Sequence, residues 1–147
     1  MRALVQRVSH ASVTVEGNVS GAISTGLLVF IGIAREDTEH DRDFVARKLL
    51  GLRIFEDEAG RMNRSVRDVN GAILLVSQFT LYGDLRRGLR PGFERAAPPE
   101  HAEPVYLSLR DMLRAEVPVE TGVFGAHMDV ALHNDGPATF WIDSRDR

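Results

Sequence analysis

The sequence predicts an α/β fold: a layered β/β/α single domain over residues 1–147, with two sheets and two main helices. Three observations carry this. Leu27–Ile33 and Ala72–Phe79 are near-continuous apolar runs, as in strands covered on both faces. Arg2–Val8 and Ser12–Glu16 alternate polar and apolar residues, as in half-buried strands. Only two segments carry a helical period. Two helices cannot cover both faces of so many strands, so a second sheet must shield one face of the first.

The elements follow in order. Glu16-Gly17-Asn18 is a turn signal between strands. The first helix starts at Asp37 or Thr38, with Thr38 and Asp41 as a variant of the capping box. Phe44, Val45, Leu49 and Leu52 then recur at helical spacing, and Gly51 falls where a glycine closes a helix. Arg53–Phe55 reads as a strand and Asp57–Gly60 as a turn, while Met62–Asn70 is too polar to assign. Gly83–Pro99 has glycine, proline and arginine without a period and reads as a long loop. The second helix places Val105, Tyr106, Leu109, Met112 and Leu113 on one face. Pro104 suits a first helical position, which starts that helix near Glu103. Gly122–Asp143 reads as two strands around the turn-rich Asn134-Asp135-Gly136-Pro137.

Composition excludes several kinds of chemistry. The chain lacks cysteine, which removes disulfides, thiolate metal sites and a cysteine nucleophile. A protein without a disulfide framework fits the cytoplasm. Met1–Val15 does not run apolar after a basic start, so no targeting segment is expected. Leu27–Ala34, the longest apolar stretch, is far short of the ~20 residues of a membrane helix. Net charge is −3, which argues against a broad electrostatic footprint for nucleic acid but not against a local basic patch. Lys48 is the only lysine, so 17 of the 18 basic residues are arginine.

No nucleophile elbow, phosphate-binding loop or dinucleotide fingerprint is present. His101-Ala102-Glu103 matches half of a zinc deaminase signature, whose other half needs cysteines. His10, His40, His127 and His133 show no paired metal spacing, and the last two read as structural strand residues. No metal and no cofactor are expected.

Two segments stand out. Ser77-Gln78-Phe79-Thr80-Leu81 puts polar residues at the end of a strong apolar strand, where backbone N–H groups and hydroxyls can meet a ligand. Asn134-Asp135-Gly136-Pro137-Ala138-Thr139 is a stiff Gly-Pro segment. Taken by pattern alone, both also fit a strand end and a hairpin turn.

The first segment resembles the SQxTL motif of the D-aminoacyl-tRNA deacylase family, and the second its NxGPxT motif. Met1–Val8 and Gly51–Phe55 are similar to the family as well, so the likeness spans the chain. Ser77 in the first motif is similar to the D-specific branch.

This resemblance implies an enzyme that hydrolyses the ester of D-aminoacyl-tRNA, and of glycyl-tRNA mischarged on tRNA(Ala), while rejecting L-aminoacyl-tRNA. It implies a homodimer in which Gly136 and Pro137, joined by a cis peptide, act as a chiral gate in the partner's site. Ser77, Gln78, Phe79 and Thr80 become the catalytic segment, with Arg7, Asn134 and Thr139 as candidate support. Two catalytic accounts stay open. Thr80 is a nucleophile, or the tRNA 2′-hydroxyl activates water while N–H groups near Phe79 and Thr80 hold the oxyanion. The absence of a recognisable base beside Thr80 favours the second. A small-ester hydrolase using Thr80 and a non-catalytic RNA-binding module are the alternatives. Arg86, Arg87 and Arg90 are candidate phosphate contacts.

Overall fold

The computed structural model describes residues 1–147. Strand β1 (Arg2–Val15) is its spine. One edge of β1 pairs with β8 (Asp129–Asp143) along nearly its whole length. The other edge pairs first with β3 (Gly26–Gly32) and then with β2 (Asn18–Ile23), all antiparallel. β6 (Ala72–Ser77) adds to β3 in parallel, and β7 (Val119–Thr121) adds to β6 in parallel. The second sheet is small: β4 (Phe55–Glu56) against β5 (Met62–Arg64). Two α-helices complete the chain, α1 (Glu39–Gly51) and α2 (Pro99–Arg114). The mixed α/β architecture, two sheets and two helices agree with the sequence reading.

The two expected N-terminal strands are one. Bulges in the β1–β8 ladder, between Gln6 and Val8 and between Val8 and His10, interrupt the alternation. Ala3 and Val5 face the helix side of the sheet, whereas Val8, Ala11 and Val13 pack on the other side. An extra residue in a strand turns the following side chains to the opposite face, which is why the pattern read as two pieces. Glu16 and Gly17 both have positive φ, 49° and 80°, as a tight hairpin turn with the strands' own twist requires.

The core has two layers. Leu27, Val29 and Ile31 of β3 and Ile73 and Leu75 of β6 meet Val45 and Leu49 of α1 and Tyr106, Leu109 and Leu113 of α2. Leu28, Leu74 and Val76 pack on the opposite face. Both apolar strands are therefore covered on both sides, as their composition predicts.

Thr38 caps α1 as expected. Asp41 Oδ2 accepts from the Thr38 N–H at 2.8 Å and from its hydroxyl at 3.0 Å. Helix α2 starts earlier than expected, at Pro99, and Pro104 lies inside it. Pro104 lacks the N–H that would reach the Glu100 carbonyl, and both residues are exposed. Tyr106, inside α2, donates its hydroxyl to the Leu75 carbonyl at 2.7 Å and ties the helix to the sheet.

The C-terminal segment is the main correction. It is one strand, not a hairpin. Asn134 opposes Val8 and Thr139 opposes Gln6, so both arms pair with the same strand without reversing direction. The residues between them bulge out over Arg7. A Gly-Pro pair reads as a turn in sequence, but here it expels a short loop from an otherwise continuous ladder.

Candidate active site

β6 ends at Ser77, and the chain enters a 3-10 turn, Phe79–Tyr82. The Gln78 N–H donates to the Ile31 carbonyl at 2.7 Å and pins this turn to the end of β3. Phe79 and Thr80 open this turn, so their N–H groups have no acceptor within it. The Gln78 amide donates to Thr80 Oγ1 at 2.5 Å. Thr80 is exposed, and no histidine or carboxylate bonds to its hydroxyl.

Ser77, Gln78 and Phe79 form one wall of a cavity of about 620 Å³. Phe93 and Phe124 supply aromatic surface, and Pro98 and Ala102 close the α2 side. Phe79 stands edge-on to Phe93, with ring centroids 4.9 Å apart. Arg35 and His127 stand at its rim. A half-apolar hollow with a few polar groups converging at one end is the usual form of a small-molecule site. His127 is not on a strand, as the alternation implied, but in the loop before β8. The contributions of Phe93, Phe124 and Ala102 had no local signal, because three distant segments meet only in the fold.

The second motif forms a braced loop. The Gly136-Pro137 peptide is cis, and Gly136 has φ 134°. Asn134 Oδ1 accepts from the Ala138 N–H at 2.9 Å, and Asn134 Nδ2 donates to Thr139 Oγ1 at 2.9 Å. Gln6 adds a donor to the same hydroxyl at 3.2 Å. Arg7, only 5% exposed, lies beneath. Its Nε donates to the Asp135 carbonyl at 3.0 Å and its Nη1 to the Ile54 carbonyl at 2.6 Å. A methyl group added at Gly136 would lie 2.7 Å from Arg7 Nη2. Arg7, Asn134 and Thr139 thus all serve one loop, while Gly136 and Pro137 themselves stay exposed.

The two motifs do not meet within one chain. Ser77 pairs with Ile31, and Ile31 with Ala3. The Gly-Pro loop instead lies opposite Arg7. Four residues along the strands and three strand spacings across them separate the two by roughly 20 Å. β8 is also an edge strand, unpaired on its outer side, with Trp141 49% exposed. Long open edges of this kind are normally covered.

Of the loop arginines, Arg86 is already committed to Asp84, with Nη2 to Oδ2 at 2.6 Å. The hydrogen bonds from Arg86 hold the Asp84 carboxyl well below the usual carboxylate range. Arg87 and Arg90 are exposed and unpaired. His101 and His40 lie on the surface, and no group of three or more potential metal ligands occurs. No helix is long and apolar enough to cross a membrane.

Comparison with known proteins gives the family. A family model described as D-Tyr-tRNA(Tyr) deacylase matches residues 4–143. The D-aminoacyl-tRNA deacylase of Symbiobacterium thermophilum is 59% identical over 98% of this chain and 96% of its own length. That of Thermus aquaticus is 57% identical over 100% and 97%. A solved structure described as c-Myc DNA Unwinding Element Binding Protein superposes with TM-score 0.93 at 44% identity, covering 97% of this chain and 98% of its own. A probable eukaryotic D-amino acid tRNA deacylase shares the fold, with TM-score 0.80 at 18% identity over 96% and 98%. With a match over nearly its whole length, the chain belongs to the D-Tyr-tRNA(Tyr) deacylase family.

Proposed function

We propose that this chain, a D-aminoacyl-tRNA deacylase by family, hydrolyses the ester between a D-amino acid or glycine and the 3′-terminal adenosine of tRNA. Glycine mischarged on tRNA(Ala) is included among its substrates. The aromatic and proline-lined cavity takes the terminal base. The ester carbonyl then lies at the Ser77–Thr80 segment, whose free N–H groups receive the oxyanion. Preorganised donors of this kind are worth ~10²–10³ in rate each.

The observation that carries the mechanism is the Gln78–Thr80 hydrogen bond. The Thr80 hydroxyl accepts from an amide and has no base to remove its proton. A threonine so placed is not an activated nucleophile, and it stands outside the residues that line the cavity. The nucleophile is water, oriented by the substrate's own 2′-hydroxyl. Its oxygen attacks the ester carbon, and the 3′ oxygen leaves carrying the relayed proton. The products are a free amino acid and a 3′-hydroxyl.

Chirality is selected by a second copy of the chain. The roughly 20 Å between the motifs means that the Gly-Pro loop cannot serve its own cavity. In a homodimer it enters the partner's. Carbonyl oxygens of Gly136 and Pro137 there would collide with an L side chain and leave room for glycine or a D residue. Discrimination comes from rejection, so D substrates need no dedicated side-chain pocket.

Thr80→Ala and a 2′-deoxy terminal ribose separate the two mechanisms. Thr80→Ala is expected to keep a substantial part of the D-aminoacyl activity. The 2′-deoxy substrate is expected to react far more slowly with the unsubstituted protein. An inactive Thr80→Ala chain with normal cleavage of the 2′-deoxy ester would establish Thr80 as the nucleophile.

A further inference from the structure

We propose that the loop from Gly83 to Ala97 is the docking surface for the single-stranded 3′ end of tRNA, with Arg87, Arg90 and Arg95 as its phosphate ligands. This rests on the deacylase reading of the neighbouring cavity.

The position of the loop is the first argument. It carries Phe93, Ala96 and Ala97 into the cavity wall. An isolated bridge between Ala34 and Ala96, with the Arg35 N–H donating to the Arg95 carbonyl at 3.1 Å, fixes the end of the loop beside the cavity rim. A second bridge, between Asp84 and Gly92, closes its outer half. The loop is thus one rim of the cavity, over which a strand whose last base occupies it can leave.

Charge is the second argument. The chain as a whole is acidic, at −3. Yet Arg87, Arg90 and Arg95 are exposed, and none forms a side-chain hydrogen bond or ion pair. Arg95 lies over the Tyr82 ring, 5.6 Å from its centroid, which leaves its N–H edge free. Nearby acids are occupied elsewhere: Asp84 by Arg86, Glu36 by Arg145, Asp143 by Arg2. Glu94 is the exposed exception. Arg86 is thereby removed from the candidates that its sequence position suggested. Free guanidiniums suit phosphate, which they bind through paired N–H groups.

The third argument is stacking surface. Phe79 is 54% exposed while braced edge-on against Phe93. Leu85 and Leu89 are 62% and 101% exposed. Phe79 gives one base a ring to stack on, the two leucines add apolar contact, and the unpaired arginines neutralise phosphates, the combination by which single strands are bound.

The test uses the full-length protein, uncharged tRNA, D-aminoacyl-tRNA and 3′-O-D-aminoacyl-adenosine, which has no internucleotide phosphate. The Arg87→Ala, Arg90→Ala, Arg95→Ala triple variant is compared with Arg86→Ala. The triple variant is expected to bind tRNA at least tenfold more weakly. Its slope of log affinity against log salt should flatten by ~0.7 per lost contact, about two in all. KM for the tRNA ester should rise while cleavage of the adenosine ester stays near normal. Replacement of the three by lysine should restore most of the salt slope, and Arg86→Ala should change neither.

Equal losses on both esters, an unchanged slope in the triple variant, or tighter binding of duplex DNA than of tRNA would overturn the proposal. A parent protein that binds tRNA with the expected slope but cleaves neither ester would support the surface and refute the deacylase reading instead.

Discussion

Arg7→Ala should damage stability and chiral selection together, because one buried guanidinium holds the Gly-Pro loop to the body of the fold. The substitution removes the bonds from Nε to the Asp135 carbonyl and from Nη1 to the Ile54 carbonyl. Hydrogen bonds to charged groups contribute about 1.5–3 kcal/mol each. Two give a gross loss of roughly 3–6 kcal/mol, offset in part because a guanidinium no longer needs desolvating. A net cost of about 3 kcal/mol corresponds to a Tm lower by roughly 6–12 °C for a chain of this size. Circular dichroism melts measure that term. The loop loses its anchor while the Ser77–Thr80 turn keeps its own, so protection of L-aminoacyl-tRNA should fail before D-aminoacyl hydrolysis does. Arg7→Lys keeps the charge but cannot reach both carbonyls at once, and should fall between. A Tm within about 2 °C of the parent, with D-over-L selectivity intact, would refute the bracing role.

Three further outcomes are expected. Tyr106→Phe leaves the Leu75 carbonyl unpaired in the core and should cost about 1–3 kcal/mol in urea denaturation. Acid should destabilise the chain through Asp41. Burial opposes its ionisation, but hydrogen bonds from Thr38 and Ser144 prevail and hold its pKa at about 2. The resulting stability is present above pH ~4 and lost as pH falls toward 2; Asp41→Asn should remove roughly 2 kcal/mol of this acid limb in pH-dependent melts. Complementation tests the shared site. Ser77→Phe fills the cavity, and Gly136→Ala forces a methyl group against Arg7 at a φ that favours glycine. Alone, the Ser77→Phe chain should be inactive and the Gly136→Ala chain should hydrolyse D and L esters alike; co-refolded, the D-over-L ratio should rise, since half the dimers are mixed and each has one intact site. An unchanged ratio, with mixed dimers confirmed by mass, would contradict the shared site.

The sheet strands were legible because Leu27–Ile33 and Ala72–Phe79 contain little but apolar residues, a composition that suits a strand buried on both faces. The two helices were legible from period, although Pro104 misplaced the start of α2. Proline marks a first turn only when an earlier one, here Pro99, does not already occupy that position. The single C-terminal strand was not legible. A bulge is defined by its partner strand, and nothing in Asn134–Thr139 states that both arms face β1. The same limit hid the cavity. Ser77–Thr80 is visible as polar residues after an apolar run, whereas Phe93, Phe124 and Ala102 become neighbours only through tertiary packing. The roles of Arg7, Asn134 and Thr139 as braces follow from their hydrogen bonds, which no sequence period encodes.

The central claim is hydrolysis of D- but not L-aminoacyl-tRNA by a site that two copies complete. Its most direct test is the release of labelled tyrosine from D-Tyr-tRNA and L-Tyr-tRNA, measured side by side with enzyme in excess. The account predicts rapid release from the D ester, with the L ester decaying no faster than it does without protein. Equal release from both esters would contradict the gate. A D ester left intact would contradict the catalytic assignment itself.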